Sequence, residues 1–429
     1  MPAEWKSHTL RDAGVSLIDC EHRTPPAATT GFPYIAIPQL KAGRLDLSGA
    51  RQISPENFRE WTRKALPQTH DVILSRRCNP GETALVPDGL QCALGQNLVL
   101  LRADGTKIYP PFLRWLVRGN EWWEQIRAFL NVGAVFDSLK CADIPNFRLP
   151  IPPLEDQKAI ASILGALDDK IELNRRTNET LEAIARAIFK ECFHDKVATS
   201  VQTGHSFDEV ASASRESVNP LQYPEELFQH YSIPAYDERQ LPAIEKGREI
   251  KSNKFVVYAD SVLLSKLNPR IPRIWLPSVV GDMQSVCSTE FLVLRPLQGW
   301  SREFVYGLCN SITFQSAFSG MVTGTSGSHQ RVMAEHLGHL LVQLPPRELV
   351  AKFTQITRPI HAKAALNLRK NATLESLRDV LLPKLMSGEI RASNLSQTDL
   401  SAKVASAVLR KPPESVIFGQ QQQRRSKNK

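Results

Sequence analysis

The sequence contains one long segment twice, 193 residues apart, and this repeat limits the folds that the chain can adopt. PPLEDQKAIASILGALDDKIELNRRTNETLEAIARAIF (152–189) aligns without gaps with residues 345–382, and twelve aligned positions are identical. The period is far longer than the 20–50 residues of a solenoid unit. It predicts two halves, each a globular domain followed by a helix, with an internal pseudo-two-fold axis. Such a chain suits a target made of two parts.

The two regions outside the repeat share one plan. Residues 1–150 combine short β-type runs (FPYIAI, DVILS and LVLL) with a helical stretch at 110–130. Residues 203–344 combine FVVY, SVLLS and EFLVL with a helical stretch at 301–318. We interpret both regions as α/β globules. The predicted helical segments after them are 151–202 and 345–391, and residues 392–429 are predicted to be a basic, disordered tail.

Length and composition exclude several classes of protein. At 429 residues the chain is long enough for two or three domains. It has no apolar run of membrane-spanning length and no signal-peptide pattern at its N-terminus. The seven cysteines contain no CxxC pair, which argues against a disulfide framework and a structural zinc site. We therefore expect a cytoplasmic protein.

The net charge of +9 does not by itself indicate nucleic-acid binding. Residues 403–429 hold seven Lys/Arg and one Glu, whereas residues 203–344 hold 12 basic and 14 acidic residues. Most of the excess charge therefore lies in the tail, where a solvated segment is a more ordinary explanation than a non-specific grip on DNA. Evidence for nucleic-acid binding has to come from local clusters.

The repeated segments have the spacing of a pair of long helices. Pro-Pro is tolerated in a first helical turn, and the first helix is predicted from Leu154 to about Phe193. Positions at alternating spacings of four and three form a heptad seam. In the first copy they are Ile160, Leu164, Leu167, Ile171, Asn174, Asn178, Leu181, Ala185 and Ile188. In the second they are Phe353, Thr357, Ile360, Ala364, Asn367, Asn371, Leu374, Arg378 and Leu381. Pro359 is expected to kink or break the second helix.

Two asparagines lie at the centre of each seam, Asn174 and Asn178 in the first and Asn367 and Asn371 in the second. If the helices pair antiparallel, the four side chains meet. Polar seam residues lower stability but fix register and partner. The alternative is that they are ordinary solvent-facing polar residues. Their recurrence at the same offsets favours the role in register.

The helical segments resemble a known family. IPPLEDQKAIASILGALDDKIELNRRTNETLEAIARAIFK (151–190) and NATLESLRDVLLPKLMSGEIR (371–391) resemble the two conserved helical regions of type I restriction–modification specificity subunits. DCEHRTPPAATTGFPYIAI (19–37) resembles an opening segment of their target-recognition domains. The resemblance extends to about residue 391, in the order domain, helix, domain, helix. The match is poor at 349–362, and the tail is additional.

The resemblance implies a non-catalytic DNA reader. Each globule would bind one half of a bipartite duplex site, and the two helices would pair as an antiparallel coiled coil that fixes the spacer. The helices would also dock two methyltransferase subunits, and the assembly would recruit restriction/translocase subunits. S-adenosylmethionine, ATP and Mg²⁺ would belong to those partners, with no cofactor in this chain.

The motifs of catalysis are missing from the sequence. It contains no GxxxxGK[ST] loop, no Asn-Pro-Pro-aromatic tetrad of amino-methyltransferases and no HExxH. Two other classes stay open. One is a coiled-coil assembly adaptor that never reads DNA, and the other is a nuclease or methyltransferase with an unrecognised site.

Candidate DNA contacts lie on loops. SRRCNPGE (75–82) and SKLNPRIPRI (265–274) each place basic residues and Asn-Pro after a β-type run, a pattern that we interpret as shared. Arginine suits guanine or phosphate and asparagine suits adenine; ordinary solvated turns are the alternative. From these loops the candidates are Arg76, Arg77, Asn79, Lys266, Asn268, Arg270 and Arg273.

A second set of candidates comes from the segments before each repeated helix and from residues 19–25. They are Ser326, Ser328, His329, Gln330 and Arg331 in the second half, Lys140 in the first, and His22, Arg23 and Thr24 by resemblance. Trp115, Trp122 and Trp123 lie in one predicted amphipathic helix. For these three we expect burial against a sheet rather than stacking on bases.

Overall fold

The computed structural model describes residues 5–133, 136–193, 204–279, 281, 283–322 and 330–392. Their contacts divide the chain into two compact units. The first unit contains the residues up to Asp169 and again those from Thr373, and the second contains Lys170–Ala372. Each unit therefore combines one globule with a part of both long helices.

The first globule contains eleven strands and three short α-helices within the described residues. The strands are β1 (Lys6–Thr9), β2 (Val15–Asp19), β3 (Phe32–Ile35), β4 (Leu40–Lys41), β5 (Arg44–Leu45), β6 (Arg51–Ile53), β7 (Val72–Ser75), β8 (Thr83–Leu85), β9 (Ala93–Leu94), β10 (Leu98–Ala103) and β11 (Arg148–Ile151). The helices are α1 (Pro55–Trp61), α2 (Pro110–Leu116) and α3 (Asn120–Phe129), and the long helix α4 (Leu154–Phe193) follows.

The second globule has eleven strands and four short α-helices within the described residues. The strands are β12 (His205–Ser206), β13 (Ala211–Ser214), β14 (Ser217–Val218), β15 (Leu227–Tyr231), β16 (Ala243–Lys246), β17 (Lys254–Val256), β18 (Val262–Ser265), β19 (Ile274–Trp275), β20 (Gln284–Cys287), β21 (Phe291–Pro296) and β22 (Leu341–Val342). The helices are α5 (Ile233–Arg239), α6 (Arg302–Asn310), α7 (Ile312–Gly320) and α8 (Ala334–Gly338), and the long helix α9 (Arg347–Met386) follows.

Each globule is built on a four-stranded antiparallel sheet, and the strand order of the two sheets corresponds. The order is β2-β10-β7-β8 in the first unit and β13-β21-β18-β19 in the second. Each globule adds a second sheet that contains one parallel pair, β3 with β9 or β15 with β20, and a two-stranded ribbon, β1 with β11 or β12 with β22. The prediction of two mixed α and β domains of common plan is confirmed.

Both faces of the main sheets are buried, which explains their uninterrupted apolar strands. In β7, Val72 and Leu74 face one hydrophobic cluster, whereas Ile73 faces another. In β18, Val262 and Leu264 likewise face away from Leu263. A one-sided sheet would have shown alternating polar residues.

The prediction of one continuous helix in each globule is wrong. Residues 110–130 form two helices, α2 and α3. The backbone is extended at Gly119, which is the N-cap residue of α3. Residues 301–318 are divided at Ser311, whose hydroxyl accepts a hydrogen bond from the Phe314 backbone NH. The tryptophans therefore lie on two helices rather than one. Trp115 and Trp122 are fully buried, as a structural role requires.

The long helices form as predicted, except at Pro359. Helix α4 begins at Leu154 and ends at Phe193. Helix α9 continues through Pro359 without a break, so the predicted break is wrong. The proline leaves the Gln355 carbonyl without its helical donor, but both residues are exposed and water can take that place.

The helices pack antiparallel in each unit, as predicted. In the second unit, Asn174 contacts Asn371 and Asn178 contacts Asn367. In the first unit, Asp168 of α4 contacts Arg378 of α9. All eighteen predicted seam positions are buried or half-buried. Among the described residues, no helix is both long and apolar enough to cross a bilayer.

Candidate nucleic-acid interface

In the first unit, a rigid loop at residues 76–81 follows β7. The Arg76 NH donates to the Asn97 carbonyl at 3.1 Å, and the Gly81 NH donates to the Ser75 carbonyl at 2.9 Å. The indole NH of Trp122 donates to the Gly81 carbonyl at 3.1 Å. Gly81 has φ +97°, and a Cβ there would lie 2.7 Å from the Trp123 ring. These contacts fix the backbone that carries Arg76, Arg77 and Asn79.

The segment before α4 is attached to this loop. The Leu139 NH donates to the Arg76 carbonyl at 2.8 Å, and Ser138 forms a β-bridge with Arg77. Lys140 is exposed next to this connection. The structure thus brings Lys140 together with Arg76 and Arg77, although the sequence separates them by more than 60 residues.

Of the three candidates at 22–24, His22 joins this cluster. Its Nδ1 lies 3.5 Å from Nη2 of Arg76, and its Nε2 lies 3.0 Å from Oδ2 of Asp19. Arg23 instead donates to Glu60 Oε1 at 2.6 Å, a bond that raises the pKa of Arg23. Thr24 is exposed and lines a groove of about 750 Å³ together with polar residues that include Gln52 and Asn97.

The second unit repeats the backbone arrangement after β18. The Lys266 NH donates to the Glu290 carbonyl at 2.9 Å, and the Val332 NH donates to the Lys266 carbonyl at 3.1 Å. The Asn268 NH donates to the Gln330 carbonyl at 3.0 Å. Lys266 therefore corresponds to Arg76. The segment that ends at Lys140 in the first unit corresponds to the segment that contains Gln330 and Arg331 in the second. Ser326, Ser328 and His329 lie outside the described residues.

The two Asn-Pro pairs are not equivalent, so our interpretation of them as a shared pattern is wrong. Ser75 and Ser265 both donate from Oγ to the carbonyl two residues later, which fixes the correspondence of the loops. Three residues after each serine, the backbone has positive φ, +63° at Cys78 and +49° at Asn268. The counterpart of Asn268 is therefore Cys78, and Asn79 lies one residue further along its loop. Asparagine tolerates this left-handed conformation well, which is a local reason for Asn268.

The candidate basic residues fall into two electrostatic groups. Arg331 donates to both Glu290 oxygens at 2.9 and 2.8 Å, and Arg273 donates to both Asp237 oxygens at 2.6 and 2.9 Å. These carboxylates raise the pKa of Arg331 and Arg273. The other group forms no ion pair within the described part of the chain and consists of Arg76, Arg77, Lys140, Lys266 and Arg270. Its charge is available to phosphate.

Sequence reasoning missed three contributors. Asn97 and Glu290 hold the loops through their backbone carbonyls, and Phe136 lies beside the Arg77 guanidinium at 5.7 Å. A signal for the first two was present, because each directly precedes the matching runs LVLL and FLVL. The position of Phe136 depends on tertiary pairing and has no local signal.

Asp19, Cys20 and His22 place three ligand atoms within 4.8 Å of one another. Cys20, however, donates from Sγ to the Gly95 carbonyl at 3.1 Å. Burial, helped by Asp19, raises the pKa of the Cys20 thiol to about 12. A thiol that stays protonated at neutral pH is a poor metal ligand. We therefore interpret this group as a hydrogen-bonded turn below Arg76.

Comparison with known proteins finds similar sequences along most of the chain. Residues 4–183 match the family described as Type I restriction modification DNA specificity domain. The chain is 22% identical over 372 residues to the type I restriction enzyme MjaIX specificity subunit of Methanocaldococcus jannaschii, covering 81% of this chain and 83% of that one. It is 24% identical over 371 residues to the HindI specificity subunit of Haemophilus influenzae, covering 68% and 80%.

A solved structure has the same fold. The crystal structure of a type I restriction–modification system S subunit from M. genitalium superposes with a TM-score of 0.56 at 14% identity, covering 89% of this chain and 96% of that one. The fold therefore agrees with the sequence similarity, which extends over most of the chain. Residues 4–183 thus match a type I restriction modification DNA specificity domain, and most of the chain is similar in sequence to type I restriction enzyme specificity subunits.

Proposed function

We propose that this chain reads a bipartite site in duplex DNA, with one half-site for the loop cluster of each unit. The observation that carries the proposal is the duplicated backbone arrangement at Arg76 and Lys266. In both units a basic residue follows a buried strand and accepts a backbone hydrogen bond from the segment before the long helix. A rigid scaffold that presents basic loops twice suits a target with two halves.

The side chains suit two kinds of contact. Arg76, Arg77, Lys140, Lys266 and Arg270 supply charge for phosphates, and an arginine among them can also bind guanine O6 and N7 in the major groove. Asn79 is exposed and can bind adenine N6 and N7. The remaining proposed contacts are His22, Arg23, Thr24, Asn268, Arg273, Ser326, Ser328, His329, Gln330 and Arg331. Those already paired with carboxylates need to exchange partners to reach DNA.

The helix pairs complete the proposal. We propose that α4 and α9 set the spacer between the half-sites, that Asn174, Asn178, Asn367 and Asn371 fix their register, and that the helices dock two methyltransferase subunits. Restriction subunits join that complex. The chain itself is proposed to be non-catalytic and to act in the cytoplasm, where S-adenosylmethionine, ATP and Mg²⁺ serve the partner subunits.

The decisive experiment is single-molecule sequencing of adenine methylation in the parent strain and in a strain without this chain. We expect one gapped, two-part motif to disappear on deletion and to return with the wild-type gene. Return of the motif with an Arg77→Ala, Lys266→Ala variant at undiminished level would instead favour an assembly adaptor. Co-purification of a methyltransferase with the chain then tests the adaptor directly.

A further inference from the structure

Two large apolar side chains are exposed on the segment before α4. Val132 is 82% exposed and Phe136 is 44% exposed. Single exposed apolar residues are ordinary on protein surfaces. These two, however, lie four residues apart in one loop, and that loop is attached to the cluster of Arg76, Arg77 and Lys140. We call Val132 and Phe136 the apolar tip.

The backbone holds the apolar tip in a defined place. Asn131 and Ser138 exchange backbone hydrogen bonds of 2.9 and 3.0 Å, which closes the loop that contains both side chains. A Cβ on Gly133 would lie 2.4 Å from the Phe136 carbonyl oxygen, so only glycine permits this close approach. Gly133 therefore lies next to one apolar side chain in sequence and against the backbone of the other in space.

The apolar tip shares an edge with the unpaired charges. Ser138 forms β-bridges with both Asn131 and Arg77, and the Arg77 guanidinium lies 5.7 Å from the centre of the Phe136 ring. This distance is within the range of a cation–π contact, so the aromatic ring and the charge belong to one surface patch. A similar combination occurs in the second unit, where Ile271 is 54% exposed and follows Arg270.

We infer that Val132 and Phe136 form an apolar wedge that contacts a base step of the duplex half-site read by the first unit. The inference rests on the proposed function and adds a contact of a different kind to it. Exposed apolar surface gains nothing from phosphate but gains from base faces and thymine methyl groups. Arg77 beside it is placed to hold the backbone of the same step.

The test uses the assembled complex of this chain with its methyltransferase subunits and a duplex that carries the motif found by methylation sequencing. 2-Aminopurine replaces successive bases of the half-site as a probe of unstacking. The variants are Phe136→Ala, Phe136→Leu and Val132→Ser. The control is Leu66→Ala, which removes an apolar side chain of similar exposure to Phe136 from the same unit outside the loop.

We expect Phe136→Ala to weaken binding of the motif duplex about ten-fold, which corresponds to about 1.4 kcal/mol, because the stacking of a base on the aromatic ring is lost. Affinity for a motif-free duplex and the salt dependence should not change, because no charge is lost. The 2-aminopurine signal at one step should fall in Phe136→Ala and be partly kept in Phe136→Leu.

Equal weakening on both duplexes, or binding within two-fold of wild type, would overturn the inference. If Phe136→Ala lowers the melting temperature, Phe136→Leu and Val132→Ser decide the outcome instead. A wild-type complex that does not distinguish the motif duplex from the motif-free one would count against the proposed function itself, which separates the two failures.

Discussion

Asn174 of α4 donates from Nδ2 to Oδ1 of Asn371 on α9 over 2.8 Å, inside the helix pair of the second unit. Asn367 donates to Asn178 in the same way, also at 2.8 Å. The side-chain amides of the two acceptor asparagines also donate hydrogen bonds. Asn371 donates from Nδ2 to the Ile171 carbonyl, and Asn178 donates from Nδ2 to the Ala364 carbonyl. A shift of register would leave these buried amides without partners.

Asn174→Leu should therefore lower the free energy of unfolding by about 1–3 kcal/mol, because the side-chain Oδ1 of Asn371 loses its donor at a partly buried site. The double variant with Asn371→Leu should recover part of this loss. Urea unfolding followed by circular dichroism measures both, with Glu179→Gln on the exposed face of α4 as the control. Equal losses in the single and double variants would contradict the pairing.

Asp168 is buried between two arginines in the first unit. It pairs with Arg114 and accepts a hydrogen bond from Arg378 at 2.8 Å. Burial alone would raise the pKa of Asp168, but Arg114 and Arg378 outweigh it and lower the pKa below its ordinary value. Asp168→Asn should cost about 3–5 kcal/mol of stability, because two buried cations lose the carboxylate that they share.

The ion pairs of Asp168 also predict that the stability of the protein depends on pH. Since the folded-state pKa of Asp168 is lowered, its contribution is present above the ordinary pKa of about 4 and is lost as the pH falls through the folded-state pKa. Wild type should therefore lose stability in this acid range more steeply than Asp168→Asn. Denaturant unfolding at several pH values measures this difference. The neighbouring exposed change Asp169→Asn should follow the wild-type curve.

Arg77 should contribute a phosphate contact. Arg77→Gln is expected to weaken binding to every duplex and to reduce the slope of log affinity against log salt by about one. Arg59→Gln, in an exposed ion pair with Glu56 on α1, is the matched control and should leave the slope unchanged. Fluorescence anisotropy between low and physiological salt measures the slopes. A slope that stays at the wild-type value would remove Arg77 from the contact set.

Cys78 should report on DNA binding. It is exposed at the turn of the first loop, whereas burial raises the pKa of Cys20 and Cys92 to about 12. A maleimide should react first with Cys78, and a duplex that carries the motif should slow this reaction more than a motif-free duplex. Mass spectrometry of the labelled peptides measures the rates. Identical rates with and without the motif duplex would place this loop away from DNA.

The proposed ruler predicts a change of spacer. Inserting one heptad into both 172–182 and 365–375 lengthens each helix by about 10 Å, or about three base pairs of duplex. We expect the methylated motif to keep both half-sites and to gain a longer spacer, as read by methylation sequencing. Changed half-site bases with an unchanged spacer would exclude the helices as the ruler.

Most of the fold was predictable because its signals are local. Runs such as VILS and LVLL are buried on both faces of a sheet, and the heptad seams at 160–188 and 353–381 predict the contact between the two long helices. The division at Gly119 was missed because the apolar pattern continues across it. The continuity through Pro359 was missed because the consequence of a proline depends on whether the carbonyl it leaves free faces solvent.

The geometry of the candidate site was predictable only in part. The sequence identified the two basic loops but not their internal alignment, since the positive φ at Cys78 and Asn268 is not readable from an Asn-Pro pair. The ion pair of Arg331 with Glu290 joins residues 41 positions apart and depends on how two segments meet. Distinguishing paired from unpaired arginines therefore required the tertiary structure.

The first hydrophobic core is completed by residues from the far end of the chain. Ile160 and Leu164 share that core with Leu377, Leu381 and Leu385. During synthesis, the first globule must therefore wait for more than 200 further residues before its apolar surface is covered. A ribosome that stops within the second globule releases a chain with an open core, so the first core is complete only in a chain made at least as far as Ala392.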